Sequence, residues 1–180
     1  PLSTAVGKII PPWPVYRGML LTVLRSAGLG IFIGSIPGAG ADIAAFVAYN
    51  EAKRFSKTPE NFGKGELSAV AACEAGANGC TGGAMLPMLT LGIPGDAVTA
   101  VMLGALTLQG LQPGPLLFKE HGELVFTLFA GMLFCYVAML VLGLGCMRMM
   151  GKVLQTPKSV LTPTIMALCV VGTYAINNSM

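Results

Sequence analysis

The sequence predicts an all-α integral membrane protein, and three observations carry that prediction. Of the 180 residues, 54% are hydrophobic and only 11% are charged, whereas about 25% of the residues in a soluble domain are charged. The basic and acidic side chains are spread along the chain, so no basic patch suited to nucleic acid is formed. The apolar residues fall into helix-length runs separated by glycine, proline and charged residues. A multi-span helical bundle in a lipid bilayer is therefore expected.

A broken helix pair is the first predicted element, over about residues 18–55. Residues 1–17 are rich in proline, which blocks a continuous helix. An apolar run over 18–36 is interrupted by Arg25, which is expected to be paired or to reach the membrane surface. A second helical run starts at residue 41 or 42 and continues to about residue 55.

A hairpin or broken helix is predicted for the region 67–110. The segment 67–91 contains Glu74, Asn78 and four glycines, which is unusual for a helix that faces lipid. Another helical run, from residue 97 to about residue 108, follows it. The basic residues before this region favour the cytoplasmic side, and the turn after it is expected outside, so the chain must cross the membrane an odd number of times in between. One full span and one re-entrant hairpin would meet this requirement.

Two membrane spans are predicted over 124–147 and 160–176. The first has 24 residues without a charge, enough to cross about 30 Å of hydrocarbon. Because basic residues favour the cytoplasmic side, the loops 53–64 and 148–158 are expected there, and the turn 119–123 is expected outside.

The tripeptide Ile-Pro-Gly occurs twice, at 36–38 and at 93–95, each time after an apolar run and before an acidic residue. Proline removes a backbone donor and glycine permits non-helical angles, so both motifs should unwind the chain. Unwound backbone inside a membrane is tolerated only where it is buried in protein or lines a cavity. Paired Gly/Pro-interrupted segments therefore indicate a transporter binding site near the bilayer midplane.

The chemistry of such a site suits an anion, because a restarting helix offers free N–H groups and a positive dipole end. Freed carbonyl groups and nearby side-chain oxygens can coordinate a small cation. The candidate substrate-binding residues are Ser35, Pro37, Gly38, Gly40, Asn78, Thr81, Pro94 and Gly95. The candidate coupling-ion ligands are Asp42, Asp96, Thr99 and Glu74.

Three of these residues have a second interpretation. Asp42 and Asp96 can be plain helix N-caps, and Glu74 can lie near the membrane interface. A lone carboxylate with a raised pKa would favour H⁺ over Na⁺ as the coupling ion.

At this level of detail the sequence resembles one known family, the large membrane subunit (TctA type) of tripartite tricarboxylate transporters. The similar stretches follow one another through nearly the whole chain. They read GSIPGAGAD at 34–42, YNEAKRFSK at 49–57, PENFGKG at 59–65, LTLGIPGD at 89–96 and GLQPGP at 110–115.

The resemblance implies a multi-pass permease of the bacterial cell inner membrane, of which residues 1–180 form most of the second half. It implies an inverted-repeat, elevator-like architecture that is completed by the other half of the same chain. It implies two partner proteins, a small membrane subunit and a periplasmic substrate-binding protein. Symport of citrate-like tricarboxylates or related carboxylates is expected, with Na⁺ favoured over H⁺ and with no cofactor or further metal.

Two competing classes of function fit less well. An intramembrane aspartyl protease needs two aspartates that share a proton, and Asp42 and Asp96 are the only aspartates in the sequence. The signature of that class has Gly-x-Gly-Asp, whereas residues 93–96 read Ile-Pro-Gly-Asp. A passive anion channel would not need two matched broken helices. The sequence therefore predicts a transporter rather than an enzyme.

Overall fold

The computed structural model describes residues 11–153 and 157–177, and within these ranges the chain is helical, with no β-strand. The all-α class is therefore confirmed. The described helices are α1 (Trp13–Gly34), α2 (Gly40–Phe55), α3 (Leu67–Leu91), α4 (Ala97–Leu108), α5 (Pro115–Glu120), α6 (Gly122–Val153) and α7 (Lys158–Asn177), with a 3₁₀ turn at Pro59–Asn61.

Helix α1 begins at Trp13, earlier than the predicted start at residue 18. The reason is that Pro14 lies in the first turn, where a missing N–H group costs nothing and the fixed φ angle favours a helix. The preceding residues 1–10 of the predicted proline-rich segment lie outside the described residues. Most of the predicted loop 148–158 is instead helical, in α6 and at the start of α7. Residues 154–156 of that loop lie outside the described residues.

Two of the described helices are long and apolar enough to cross a bilayer, namely Trp13–Gly34 and the Gly122–Met147 part of α6. Helix α4 and the Ser159–Ala175 part of α7 are apolar but shorter. Helix α3 has 25 residues but is not among the candidate spans, because its glycines and polar side chains lower its mean hydropathy.

Residues 11–129 form one compact unit, and the described residues from Ala130 onward belong to a second. In the first unit, α3 packs against α1 through glycine. A Cβ atom on Gly30 would overlap the carbonyl of Gly76, and one on Gly34 would overlap the carbonyl of Cys80. Since successive contacts advance in the same direction along both helices, α1 and α3 run parallel. Small residues of this kind allow helix backbones to approach closely where lipid gives no hydrophobic driving force.

Helix α2 runs antiparallel to both neighbours and packs through an alanine stripe. Ala44, Ala48 and Ala52 are buried at four-residue intervals. Ala44 shares a buried cluster with Ile33 of α1 and Cys80 of α3. The face that α2 contributes to this contact therefore consists of residues with little side chain.

Arg25, the charged residue that interrupts α1, is paired inside this unit. Its Nε lies 3.1 Å from Oε1 of Glu51, and an Nη group donates a hydrogen bond of 3.5 Å to the Glu51 carbonyl. Its Cζ lies 4.3 Å from the centroid of the Phe55 ring. Of the two roles expected for Arg25, pairing is the one observed.

Candidate functional site

The two Pro-Gly segments lie against each other. The first joins α1 to α2, the second joins α3 to α4, and the amide N–H of Gly38 donates a hydrogen bond of 2.9 Å to the carbonyl of Gly95. Helix α2 begins at Gly40 and helix α4 begins at Ala97. The N-termini of both helices therefore start within two residues of this hydrogen bond.

Gly95 is wedged between α1 and α3. A Cβ atom at this position would lie 2.7 Å from the Cβ of Ala84 and 2.8 Å from the carbonyl oxygen of Gly34. Because Ala84 lies two turns before the end of α3, the chain after Gly92 must fold back along α3 to reach it. The absence of a side chain at residue 95 is what allows the second loop to reach the first.

Gly38 and Gly40 differ from Gly95 in both conformation and surroundings. Their φ angles are +79° and +71°, and a Cβ atom on either would meet no heavy atom within 4 Å. The positive φ angle is readily adopted only by glycine. At these positions glycine is required by the backbone angle rather than by lack of space.

The N-terminus of α4 is closed by its own side chains. Asp96 Oδ1 accepts a hydrogen bond of 2.8 Å from the amide of Thr99, and the amide of Asp96 donates 2.9 Å to Thr99 Oγ1. The Thr99 hydroxyl also donates to Asp96 Oδ1 at 2.7 Å and is 2% exposed as a residue. These contacts form a capping box. Of the two roles left open for Asp96, the N-cap role is observed.

The N-terminus of α2 is open by comparison. Its N-cap residue is Ala39, which has no side chain able to cap the helix. Asp42 lies in the first turn of α2 and is exposed, so the interpretation of Asp42 as the N-cap was wrong. A positive dipole end with uncapped N–H groups therefore lies beside the Gly38–Gly95 hydrogen bond.

The remaining loop candidates frame this end. Ser35 is half-buried and its hydroxyl donates a hydrogen bond of 2.9 Å back to the carbonyl of Ile31. That hydroxyl can still accept a hydrogen bond while its own donor is engaged. Pro37 is exposed, whereas Pro94 is half-buried.

The polar candidates of α3 lie along one exposed face. Glu74, Asn78 and Thr81 are exposed at spacings of four and three residues, which places them on the same side of the helix. Asn78 Nδ2 donates 2.9 Å to the carbonyl of Glu74, and Thr81 Oγ1 donates 3.4 Å to the carbonyl of Ala77. The amide oxygen of Asn78 and the lone pairs of Thr81 remain as acceptors.

The distance of these three residues from the loops differs along the helix axis. Gly95 contacts Ala84, so Ala84 marks the level of the loops on α3. At 1.5 Å per residue, Thr81 lies about 4.5 Å from that level, Asn78 about 9 Å and Glu74 about 15 Å. The structure therefore places Thr81 at the height of the two loops and separates Glu74 from them.

The segment between α4 and α5 contacts the end of α3, where the second Pro-Gly loop begins. The amide of Gly114 donates a hydrogen bond of 2.9 Å to the carbonyl of Leu89. Gly92 ends α3 in the left-handed conformation, with its φ angle at +70°. The loop after α4 thus holds the point at which α3 ends and the chain turns back.

Residues 2–180 match the tripartite tricarboxylate transporter TctA family. The chain belongs to this family. The stretches that resemble TctA subunits in sequence include both contacting loops and the supporting loop 110–115. The family match covers both contacting loops together with the helices on either side of them.

Two curated relatives of this TctA-family chain come from Agrobacterium vitis. It is 34% identical over 164 residues to an uncharacterized 52.8 kDa protein in the TAR-I ttuC' 3' region, covering 91% of this chain and 33% of the relative. It is 35% identical over 150 residues to an uncharacterized protein in the TAR-II ttuC' 3' region, covering 83% of this chain and 62% of the relative. The TctA-family chain thus spans about a third of the length of the first relative and about three fifths of the length of the second. No solved structure matches it.

Sequence reasoning did not single out Glu51, the partner of Arg25. The signal available was an arginine inside the apolar run 18–36, followed by a second helical run with an acidic residue near its end. A membrane-embedded charge is expected to have such a partner.

Proposed function

We propose that this chain is part of a multi-pass permease subunit of the bacterial inner membrane that takes up citrate-like tricarboxylates or related carboxylates. Membership of the TctA family supports a role in transport. The observation that carries the proposal is the hydrogen bond between Gly38 and Gly95, because it brings two interrupted helices together at one place. Interrupted helices at a shared point are typical of midplane sites in transporters.

The substrate carboxylate is proposed to bind at the uncapped start of α2. Its first-turn amides and the positive end of its dipole favour an anion without an arginine. The chain leading into this helix end contains the candidate residues Ser35, Pro37, Gly38 and Gly40. Thr81 lies on α3 at about the level of the two loops. Pro94 and Gly95 hold the second loop against it, and Asn78 would contact a longer substrate.

A coupling cation is proposed to bind close to the carboxylate. An inside-negative potential opposes the entry of an anion by about 2.3 kcal/mol per charge per 100 mV. Net uptake of a multiply charged carboxylate therefore requires cations to enter with it. Asp42, with Asp96 and Thr99 at the start of α4, offers the oxygen ligands that Na⁺ prefers. Glu74 is the most distant of the proposed ligands and would act as a proton carrier if H⁺ replaced Na⁺.

The partners proposed for the permease are a small membrane subunit and a periplasmic binding protein that delivers the substrate. Because the chain spans only part of its curated relatives, the rest of the permease is proposed to supply a second, inverted half. A re-entrant hairpin within 67–110 and an elevator-like movement are parts of the same proposal.

The test is uptake of labelled citrate by proteoliposomes that contain the full permease and its partners. With Na⁺ outside, citrate should accumulate above its external concentration, and accumulation should be lost when Na⁺ is replaced by choline. A separately imposed pH gradient should not restore it.

Equilibration without accumulation would indicate a passive channel and contradict the proposal. Accumulation driven by the pH gradient alone would show that the Na⁺ assignment is wrong. In that case Glu74→Gln and Asp96→Asn are the variants to compare first.

A further inference from the structure

Besides the buried packing of Ile33 with Ala44, two features connect α1 and α2 at different positions along their hairpin. One is the Pro-Gly loop between Gly34 and Gly40. The other is the contact between Arg25 and Glu51. Arg25 precedes Gly34 by nine residues, so the contact lies about 14 Å from the loop along α1.

The buried face of α2 consists of small side chains, which fix the position of a helix along its axis less firmly than large ones would. Its buried face consists of Ala44, Ala48 and Ala52, which repeat every four residues. A shift of one helical turn would place one alanine where another had been. The repeating alanines therefore specify the axial register of α2 only weakly, and the packing of Ile33 against Ala44 adds one larger contact to them.

The contact between Arg25 and Glu51 is directional and local. The two side chains are 30% and 23% exposed. Arg25 Nε is shielded from solvent, and its contact with Glu51 Oε1 is a close ion pair rather than an aligned hydrogen bond. A shift of one turn, about 5.4 Å, would separate the charges and leave both half-buried without a partner. Leaving two partly buried charges without partners is unfavourable.

Among the residues that the structure describes, no other side-chain hydrogen bond or salt bridge joins α1 to α2. Ser26 is fully buried, and its hydroxyl has no hydrogen-bond partner within the described part of the chain. Arg25 is the only basic residue between Arg17 and Lys53. Setting the register of packed helices is the best-attested role of a single polar pair between them.

We propose that the Arg25–Glu51 ion pair is a positioning pair that fixes the axial register of α2 against α1. It thereby holds the first Pro-Gly loop where Gly38 can donate its hydrogen bond to Gly95. Arg25 does not act as a counter-ion for the carboxylate, since its guanidinium is engaged by Glu51 and the Phe55 ring. Only the uptake readout of this inference rests on the proposed function, because the register can be measured without any substrate.

The first test measures amide hydrogen exchange in the purified permease, in peptides that cover 34–42 and 92–96. Arg25→Met and Glu51→Gln should each speed exchange in both peptides by roughly tenfold, the loss expected for a contact to a charged group. The charge-swapped double variant, Arg25→Glu with Glu51→Arg, should return exchange towards the wild-type rate. Arg54→Met is the matched control, because Arg54 also lies near the Phe55 ring, at 5.9 Å, but is exposed.

The second test compares uptake kinetics of the same variants. A positioning pair predicts that Arg25→Met and Glu51→Gln lower the maximal rate alike, with similar KM values. A counter-ion role predicts a raised KM in Arg25→Met but not in Glu51→Gln, with no rescue by the charge swap.

The proposal is overturned if exchange is unchanged in both single variants, or if the defect is confined to the KM of Arg25→Met. If exchange responds as predicted while the wild-type permease shows no carboxylate uptake, the proposed function fails and the positioning role stands.

Discussion

The two Pro-Gly loops share the tripeptide Ile-Pro-Gly, but its glycine differs between them in backbone conformation and in the space around it. In the loop between α1 and α2, Gly38 has a φ angle of +79° and open space around it. In the loop between α3 and α4, a Cβ atom on Gly95 would lie under 3 Å from Ala84 and from the Gly34 carbonyl. The first glycine is required by its backbone angle and the second by its neighbours. The same sequence motif therefore exposes backbone in one loop and packs it in the other.

The helices that follow the loops differ in the same way. The N-terminus of α4 is capped by Asp96 and Thr99, whereas α2 has Ala39 as its N-cap residue and no side-chain cap. The packed loop is thus followed by a closed helix end, and the exposed loop by an open one. We infer that the first loop presents the site, because it exposes the backbone groups that would bind the substrate. The second loop is a supporting loop, because it packs against the first and holds it in place.

The largest effect is expected from filling the space at the packed glycine. Gly95→Ala should lower stability by about 1–3 kcal/mol, as overpacking does, and should abolish uptake because the loops can no longer meet. The measurements are the Tm of the purified permease and citrate uptake.

Gly104→Ala in α4 is the matched control for this change, because a Cβ atom there meets nothing within 4 Å. It should leave the Tm unchanged or raised, since alanine favours a helix over glycine by about 0.5–1 kcal/mol. A Gly95→Ala permease with the Tm and uptake of the wild type would show that the close contact does not exist.

A smaller effect on stability is expected at the exposed glycine. Gly38→Ala should cost about 1–2 kcal/mol, the penalty of a left-handed backbone for an ordinary residue. Gly38→Asn should keep most of the stability, because asparagine tolerates this conformation. Both variants should lose uptake, because a side chain would cover the amides that the carboxylate approaches.

Thermal unfolding and uptake, measured on the same preparations, separate the two contributions at residue 38. Normal uptake by Gly38→Asn would place the carboxylate elsewhere and contradict the assignment of the first loop as the binding loop.

The fold class could be predicted from composition, because so few charges cannot cover a soluble surface. The helix breaks could be predicted from the two Ile-Pro-Gly tripeptides, because proline and glycine act on the local backbone. The start of α1 could not be predicted in this way, because proline in a first turn favours the helix that proline elsewhere would break. The sequence around Trp13 does not distinguish these two cases.

The candidate site was less predictable, because its geometry depends on contacts between distant residues. Asp96 follows the glycine of its tripeptide directly, whereas Asp42 lies four residues after the glycine of its own, and only Asp96 caps a helix. The difference arises because α2 starts at Gly40, ahead of Asp42, and the onset of a helix depends on the packing of the preceding loop. The partner of Arg25 lies 26 residues away, a separation that no local pattern indicates.

The smallest effects are expected at these two aspartates, and they test the difference between the capped and the open helix end. Asp96→Ala should lower stability by about 1 kcal/mol through loss of the cap, whereas Asp96→Asn should restore it, because asparagine is an equally good N-cap. Asp42→Asn should change stability by less than about 1 kcal/mol, since only a favourable charge near the helix N-terminus is lost.

The same two aspartates also differ in how free their carboxylates are to bind a cation. The oxygen of Asp96 that faces Thr99 already accepts hydrogen bonds, so Asp42 has the freer carboxylate. Asp42→Asn should therefore raise the Na⁺ concentration for half-maximal uptake more than Asp96→Asn does, which a Na⁺ titration of uptake in the two variants measures directly. The reverse order would assign the coupling cation to the capped end of α4 and would remove the distinction between a supporting loop and a presenting loop.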